Sequence, residues 1–264
     1  MRRRPAGTGR RLTWIVITAL VCASGLVAQS PPVEPVLPFV VGERLEYRVR
    51  MRLLGTIGTG VLAVAGRDSV RGTPTWVLRF DVDAGVGGLR GSDHSASWID
   101  PVHMTALRYT RDERGLARSQ RDSVEIFPAE RRWTAAGGET GATMGDDPVD
   151  ELSFIFLLRT LPLDHDTTIV LWRHFDPARS PTIVRVRGYE VVQTEAGTYR
   201  TIVVEMVVRD ARRFGGGEGV IRFNLTADAE RVPVRIESPM RDIGTMTLLL
   251  RSRSVVVPTG VPFP

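Results

Sequence analysis

Hydrophobic and polar residues alternate along much of the chain. Leu45, Tyr47, Val49, Met51 and Leu53 are interleaved with Glu46, Arg48, Arg50 and Arg52. A period of two over nine residues puts one row of side chains inward and the other in water. The pattern returns at Trp76, Leu78, Phe80 and Val82 against Arg79, Asp81 and Asp83, and again at Ile221, Phe223 and Leu225 against Arg222, Asn224 and Thr226. Less regular strands are expected at 61–65, 96–99, 106–111, 123–127, 168–173, 183–192, 198–208, 232–237 and 244–251. Between them Gly66-Arg67-Asp68, Arg71-Gly72-Thr73-Pro74, Asp112-Glu113-Arg114-Gly115 and Glu195-Ala196-Gly197 supply Gly or Asp where a turn needs positive φ. Many short, closely spaced strands predict a mainly β fold. The expected form is an antiparallel curved sheet, a barrel or a half-barrel, rather than βαβ units.

One segment departs from that period. Gly137 to Gly145 reads as a loop, and Asp146-Asp147-Pro148-Val149-Asp150-Glu151 then opens a helix. Asp146 or Asp147 can cap it, Pro148 suits its first position, and Asp150 and Glu151 favour the positive end of its dipole. The helix continues through Leu152-Ser153-Phe154-Ile155-Phe156-Leu157-Leu158-Arg159-Thr160-Leu161 and stops before Pro162. It is apolar nearly all round, so it should be buried on more than one side and plug or close one side of the sheet.

Composition changes this picture mainly at the N-terminus. The sequence pI near 10.2 suggests nucleic-acid binding. Yet five of the 35 basic residues (Arg2, Arg3, Arg4, Arg10 and Arg11) fall in the first eleven positions, and the 30 that remain equal the 30 acids. The body is therefore formally neutral and has no broad attraction for phosphate backbones or anionic lipid. Every basic residue is Arg and Asn224 is the sole Asn, a bias that argues against reading individual arginines as chosen for bidentate recognition. The basic start precedes an apolar run, Leu12 to Ala23, and small residues at Ala23-Ser24-Gly25 and Ala28. These are the three regions of a secretory signal peptide, with an uncleaved anchor as the alternative. The run is about twelve residues, short of the ~20 that span a bilayer. Cleavage fits after Ala23 or Ala28. Val21 stands where a lipoprotein signal needs a small residue before Cys22, and Arg10-Arg11 hints at twin-arginine export. Cys22, the sole cysteine, lies inside this signal, so no disulfide, thiol nucleophile or cysteine metal site is expected. The expected organisation is a signal peptide at 1–28, a Pro-rich linker at 29–38, a single β-rich domain at 39–254 and a tail at 255–264.

An ordered set of segments resembles a known family. It runs from Val41-Gly42-Glu43-Arg44-Leu45-Glu46-Tyr47-Arg48-Val49 through Asp100-Pro101 and Leu107-Arg108-Tyr109 to Asp150-Glu151-Leu152-Ser153-Phe154. It continues at Leu158-Arg159-Thr160-Leu161-Pro162-Leu163, Gly188-Tyr189-Glu190-Val191, Ala196-Gly197-Thr198-Tyr199 and Val232-Pro233-Val234-Arg235-Ile236-Glu237. In that order, over roughly 39–251, the chain resembles the bacterial periplasmic proteins grouped as domain of unknown function 3108. The resemblance implies a signal peptide, a β-rich fold and an envelope location. It implies no activity and transfers no catalytic residue. The chain departs from relatives in lacking their lysines.

Catalytic motifs are absent: there is no G-x-S-x-G, no H-E-x-x-H, no Walker loop and no G-x-G-x-x-G after a strand. Gly85-Val86-Gly87-Gly88-Leu89-Arg90-Gly91 reads as a flexible hairpin loop and Gly215-Gly216-Gly217 likewise as a loop. Four histidines remain, His94, His103, His165 and His174. Asp93-His94 and Asp164-His165-Asp166 could supply metal ligands or an acid–base pair, but neighbours along a strand point to opposite faces and polar turn residues are the plainer reading. Asp146, Asp147, Asp150 and Glu151 could pair as an acid–base site, and helix capping explains them more simply. Trp76, Trp98, Trp133 and Trp172, with Phe154 and Phe156 of the helix, are the candidate ligand-binding residues, with core packing as the alternative. No catalytic residue, metal or cofactor is expected.

Three function classes follow. The first is a non-enzymatic envelope module that carries an apolar or lipid-like ligand in a curved sheet, which requires an open apolar cavity. The second is an envelope assembly factor that binds a protein partner through an exposed strand edge. The third is a hydrolase built on Asp93/His94 or Asp164/His165. Nucleic acid and a stable membrane span after signal cleavage are not expected.

Overall fold

The computed structural model describes residues 36–115, 119–210, 214, 217–240 and 244–256. The signal peptide and the expected boundaries of the linker and tail lie wholly or mostly outside these residues. Fourteen strands join one antiparallel sheet. In chain order they are β1 (Glu43–Met51), β2 (Gly55–Val70), β3 (Thr73–Val86), β4 (Leu89–Asp100), β5 (Thr105–Arg114), β6 (Ser119–Phe127), β7 (Arg132–Ala135) and β8 (Thr140–Ala142). After a helix, α1 (Glu151–Thr160), come β9 (Thr168–Leu171), β10 (Thr182–Thr194), β11 (Gly197–Arg209), β12 (Glu218–Thr226), β13 (Pro233–Met240) and β14 (Gly244–Val255).

The sheet order is β8-β7-β6-β5-β4-β3-β2-β1-β14-β13-β12-β11-β10-β9. Each half is a meander, and β14 returns to pair with β1 in the middle. The two described chain ends meet there, where Val256 N donates to Gly42 O at 3.0 Å and Gly42 N donates to Val64 O at 2.8 Å. β8 and β9 are the two edges and do not pair with each other. The fold is thus mainly β with one buried apolar helix, as the alternation predicts, and the sheet curls without closing.

Alternation explains which face is covered. Along β1, Leu45, Tyr47, Val49 and Met51 are buried, while Arg44 and Arg50 on the alternate row are exposed. One apolar cluster takes residues from β1 to β5 and from β10 to β14 together with Leu152, Phe154, Phe156, Leu157 and Leu158 of α1. The helix therefore occupies the concave side. Its cap is Asp150 rather than Asp146 or Asp147. Asp150 Oδ1 accepts from Leu152 N and Ser153 N at 2.9 Å, and Ser153 Oγ accepts from Asp150 N at 2.8 Å. That reciprocal box fixes the start of the helix, and Pro148 and Val149 stay extended because the sheet claims their backbone: Pro148 O accepts from Ala106 N at 2.8 Å.

At the other end of α1, Arg159 has a fully buried side chain and pairs with Glu43 Oε2 at 2.6 Å. It also donates to Pro38 O at 2.8 Å and Glu230 O at 3.0 Å. Pro38, Glu43 and Glu230 are thereby tied to one guanidinium, each of whose nitrogens has an acceptor, the condition under which a buried charge is tolerated.

Two turn expectations differ from the structure. Gly66-Arg67-Asp68 lies inside β2, where a bulge between Val64 and Gly66 absorbs the irregularity. Asp112-Glu113-Arg114 close β5 instead of forming a turn, whereas Gly85 to Gly91 forms the expected hairpin. β3 and β4 run to Val86 and Leu89, joined by Gly87 and Gly88 at φ 59° and 86°, the positive-φ pair that a tight hairpin turn requires. The short strands β7 and β8 were not legible in the sequence.

Candidate functional site

The seam between the two sheet edges is where the fold leaves polar backbone and apolar side chains unpaired. β8 is three residues long and β9 four, so both edges are brief. Val186 N donates to Thr167 O at 2.9 Å, and the antiparallel alternation then turns the backbone groups of Thr168 and Val170 away from β10. Their side chains, with that of Trp172, lie on the outer face, whereas Ile169 and Leu171 pack on the core. Val170 is 50% exposed, Trp172 52%, and Met144, across the seam, 49%.

Beyond β9 the chain is stitched to the segment before α1. Val149 N donates to Arg173 O at 2.7 Å and Phe175 N to Val149 O at 2.9 Å. Arg173 donates to Asp147 O at 2.7 Å, Met104 O at 3.0 Å and His103 O at 3.1 Å, locking the β4–β5 turn to the seam. A shallow cleft of about 180 Å³ remains, lined by Met144, Asp146, Asp147, Trp172, Arg173 and His174, among others.

Below the cleft, His174 is buried, and desolvation pushes its pKa down to about 4. Its Nδ1 accepts from Asp176 N at 3.0 Å. Its Nε2 has no hydrogen-bond partner among the described residues, the nearest carboxylate oxygen being Glu151 Oε1 at 3.7 Å. Phe154 and Phe175 flank the ring at centroid distances of 6.5 and 4.7 Å. Asp150, also buried, accepts from Ser97 Oγ at 2.5 Å, and burial raises its carboxyl above the ordinary value. Glu151 pairs with Arg179, which also reaches Asp210 at 3.4 Å. Ser97 is thus spent on Asp150 and not on the imidazole, and the nucleophile–base–orienter sequence that acyl transfer through a serine needs is not assembled at this histidine.

The six candidate aromatic residues do not surround one common space. Trp76 and Phe156 meet through Phe39 in edge-to-face contacts of 6.1 and 5.0 Å. Phe154 stacks on His174. Trp133 sits in a separate small cluster, edge-on to Phe175 at 5.5 Å. Trp98 lies partly exposed, its Nε1 donating to Asp68 at 2.8 Å with Arg108 over its ring. Trp172 is on the outer face of the seam. The histidine pairs separate likewise: His94 bonds Asp81 at 3.0 Å, while Asp93 holds Arg111 at 2.6 Å. His165 reaches the exposed Asp166, and His103 reaches Asp100. Among the described residues no three His, Cys, Asp or Glu side chains gather to hold a metal.

Sequence reasoning named Trp172 but not its neighbours Met144 and Val170. The available signal was the run Thr168-Ile169-Val170-Leu171-Trp172, apolar on both faces with no charge, at odds with an edge exposed to water.

The family described as a protein of unknown function, DUF3108, matches residues 46–251. The chain belongs to that family. No curated protein matches this DUF3108 sequence. A beta-barrel-like protein of the domain of unknown function DUF1849 from Brucella abortus shares its fold, at TM-score 0.54 and 12% identity over 82% of this chain and 98% of that one. A Bacteroides fragilis protein with a YmcC-like fold, 12% identical, aligns over 83% of the DUF3108 chain and 98% of its own. A Parabacteroides distasonis protein named as a lipoprotein, 7% identical, covers 83% and 97%. Both have a TM-score of 0.33, too low to carry an argument. Among the described residues of the DUF3108 protein no helix is long and apolar enough to cross a membrane.

Proposed function

We propose that this DUF3108 protein is an exported, non-enzymatic module of the cell envelope that takes up an extended segment of a partner protein along the open edge at β9. The export half of the reading rests on the basic start, the twelve-residue apolar run and the small residues that follow it. The binding half rests on one observation: an uncharged edge strand presents outward backbone groups at Thr168 and Val170 beside the exposed apolar side chains of Val170, Trp172 and Met144. Soluble proteins commonly blunt such edges with charge, proline or a covering loop. An added strand satisfies the backbone groups, and side-chain pockets select its sequence. A carrier for an apolar ligand needs interior space, and here Phe154, Phe156, Leu157 and Leu158 of α1 fill the concave side, so the edge reading is the stronger of the two.

The test is site-specific photocrosslinking in the envelope, with the reactive group at Val170 and, as a control, at Arg79 on the exposed face of β3. Adducts with one defined protein from Val170 but not from Arg79 support the reading. Equal labelling from both, or none from Val170, overturns it. A reproducible extra mass in native mass spectrometry, lost on organic extraction, would return the carrier reading to first place.

A further inference from the structure

At the far end of β1 and β14 from where the two described chain ends meet, two hairpin tips stand next to each other. Register places them: Arg50 pairs with Thr56 across β1 and β2, Gly58 pairs with Ala84 across β2 and β3, and Val86 pairs with Leu89 across β3 and β4. The β1–β2 tip carries Leu53 and Leu54, 93% and 52% exposed. The β3–β4 tip carries Val86 and Leu89, 41% and 56% exposed. Four large apolar side chains in water on adjacent projections form a patch of the kind that marks an interaction surface.

The charged side chains on the two tips themselves have one sign. Neither 50–57 nor 84–91 contains an Asp or Glu, whereas Arg50, Arg52 and Arg90 are all exposed. None of the three has a carboxylate partner among the described residues. Most other arginines on the outer face are paired, as in Arg44–Glu46 at 3.0 Å, Arg209–Glu218 at 3.0 Å and Arg222–Glu190 at 2.9 Å, with exceptions such as Arg79 and Arg185 among the described residues. The nearest acid to the β3–β4 tip, Asp83, lies 3.6 Å from His94. Protruding apolar tips that carry three exposed guanidinium groups complement a surface that is apolar just below a layer of negative charge.

We propose that the paired β1–β2 and β3–β4 tips dock the protein on an anionic lipid surface, with Leu53, Leu54, Val86 and Leu89 entering the interfacial layer and Arg50, Arg52 and Arg90 meeting phosphodiester headgroups. The two tips are joined through the β2–β3 ladder, which pairs Gly58 with Ala84 just below them. The docking is peripheral and independent of the β9 edge, so either reading can fail alone.

The experiment is co-sedimentation of the full chain with vesicles of phosphatidylglycerol and phosphatidylethanolamine, set against vesicles of phosphatidylcholine. Every variant is made in the same chain, so any contribution of the N-terminal apolar run is common to all. The expected result is preferential binding to the anionic vesicles, weakened by salt. It should fall about tenfold or more in Leu53→Asp/Leu54→Asp and about fivefold for each of Arg52→Gln and Arg90→Gln. These side chains are exposed, so the variants should keep the melting temperature of the parent, and Leu54→Trp should show a blue-shifted emission on anionic vesicles only. Equal binding by parent and variants, no preference for anionic lipid, or an unshifted tryptophan overturns the proposal. So does loss of self-association in Leu53→Asp/Leu54→Asp without loss of vesicle binding, which would assign the tips to contact between copies of the chain.

Discussion

His174 sits where two chain segments and the first turn of α1 converge, and its ring is enclosed by Phe154 and Phe175. Burial holds its pKa at about 4 against an ordinary value of 6.5. In the folded protein the imidazole is therefore neutral across most of the acid range, while in the unfolded chain it takes up a proton below about 6.5. Between these two values the unfolded state binds more protons, so stability falls as the pH falls. The expected loss from pH 7 to pH 4 is on the order of 3 kcal/mol from this residue. Asp150 works in the opposite sense: its raised carboxyl pKa lets the folded state take up a proton first, so its contribution grows on acidification and blunts the lower end of the slope. Urea unfolding of the parent and of His174→Gln across this range checks the assignment, since the variant should lose most of the slope between pH 6.5 and 4. None of this was visible in the sequence, where His174 is one of three histidines beside an Asp or Arg. Burial by residues far along the chain, not its immediate neighbours, sets its behaviour.

Elements with a strong local pattern were legible and those without one were not. β1, β3 and β12 follow from strict alternation, and α1 from an Asp-Pro start and a continuous apolar run. Its cap shifted to Asp150 because Pro148 and Val149 are held by backbone bonds to Ala106, Arg173 and Phe175, partners 42 or fewer residues away that no local rule can supply. β7 and β8 are four and three residues long and rich in Thr, Ala and Gly, too brief for a period to show. Gly66 reads as a turn because glycine usually marks one, yet pairing with β3 carries the strand through it as a bulge. Of the candidate site, Trp172 was legible as an aromatic and illegible as an edge residue, since exposure depends on which strands lie at the ends of the sheet. The close approach of β2 to β3 yields a sharper expectation. With its Cβ position 2.0 Å from Asp83 O and 2.7 Å from Ala84 Cα, Gly58 has backbone, not a movable side chain, against it. Gly58→Ala should destabilise the protein by about 1–3 kcal/mol, the usual range for forced overpacking. The same substitution at Gly72, where an added Cβ meets nothing within 4 Å but φ is +80°, should cost less, on the order of 1 kcal/mol. Thermal or urea unfolding of the two variants side by side decides between packing and conformation as the cause.

At the scale of the whole molecule, formal neutrality conceals an uneven surface: mostly paired arginines over the sheet, three at the hairpin tips with no carboxylate partner among the described residues, and an uncharged edge at the seam. Composition could not separate these, because it averages over positions that only the folded sheet brings together. The sheet order has a consequence of a different kind. Read from β9 through β14 and on from β1 to β8, the strands run in unbroken sequence. The native chain is a simple up-and-down ribbon whose ends have been opened in the middle, and a single junction, β1 against β14, closes it over 206 residues, as between Glu46 and Ser252. Each other strand pairs with its immediate neighbour in the chain. A circular permutant that links Val256 to Val36 and opens between Gly145 and Asp146 would make every strand pairing sequential, and its refolding should be about tenfold faster or more, as contact order falls. Equal refolding rates would place the slow step elsewhere than in the meeting of the two ends. For a natural chain ordered in this way, neither half can complete its sheet until the last strand has been made, so the order of synthesis delays the central pairing to the end.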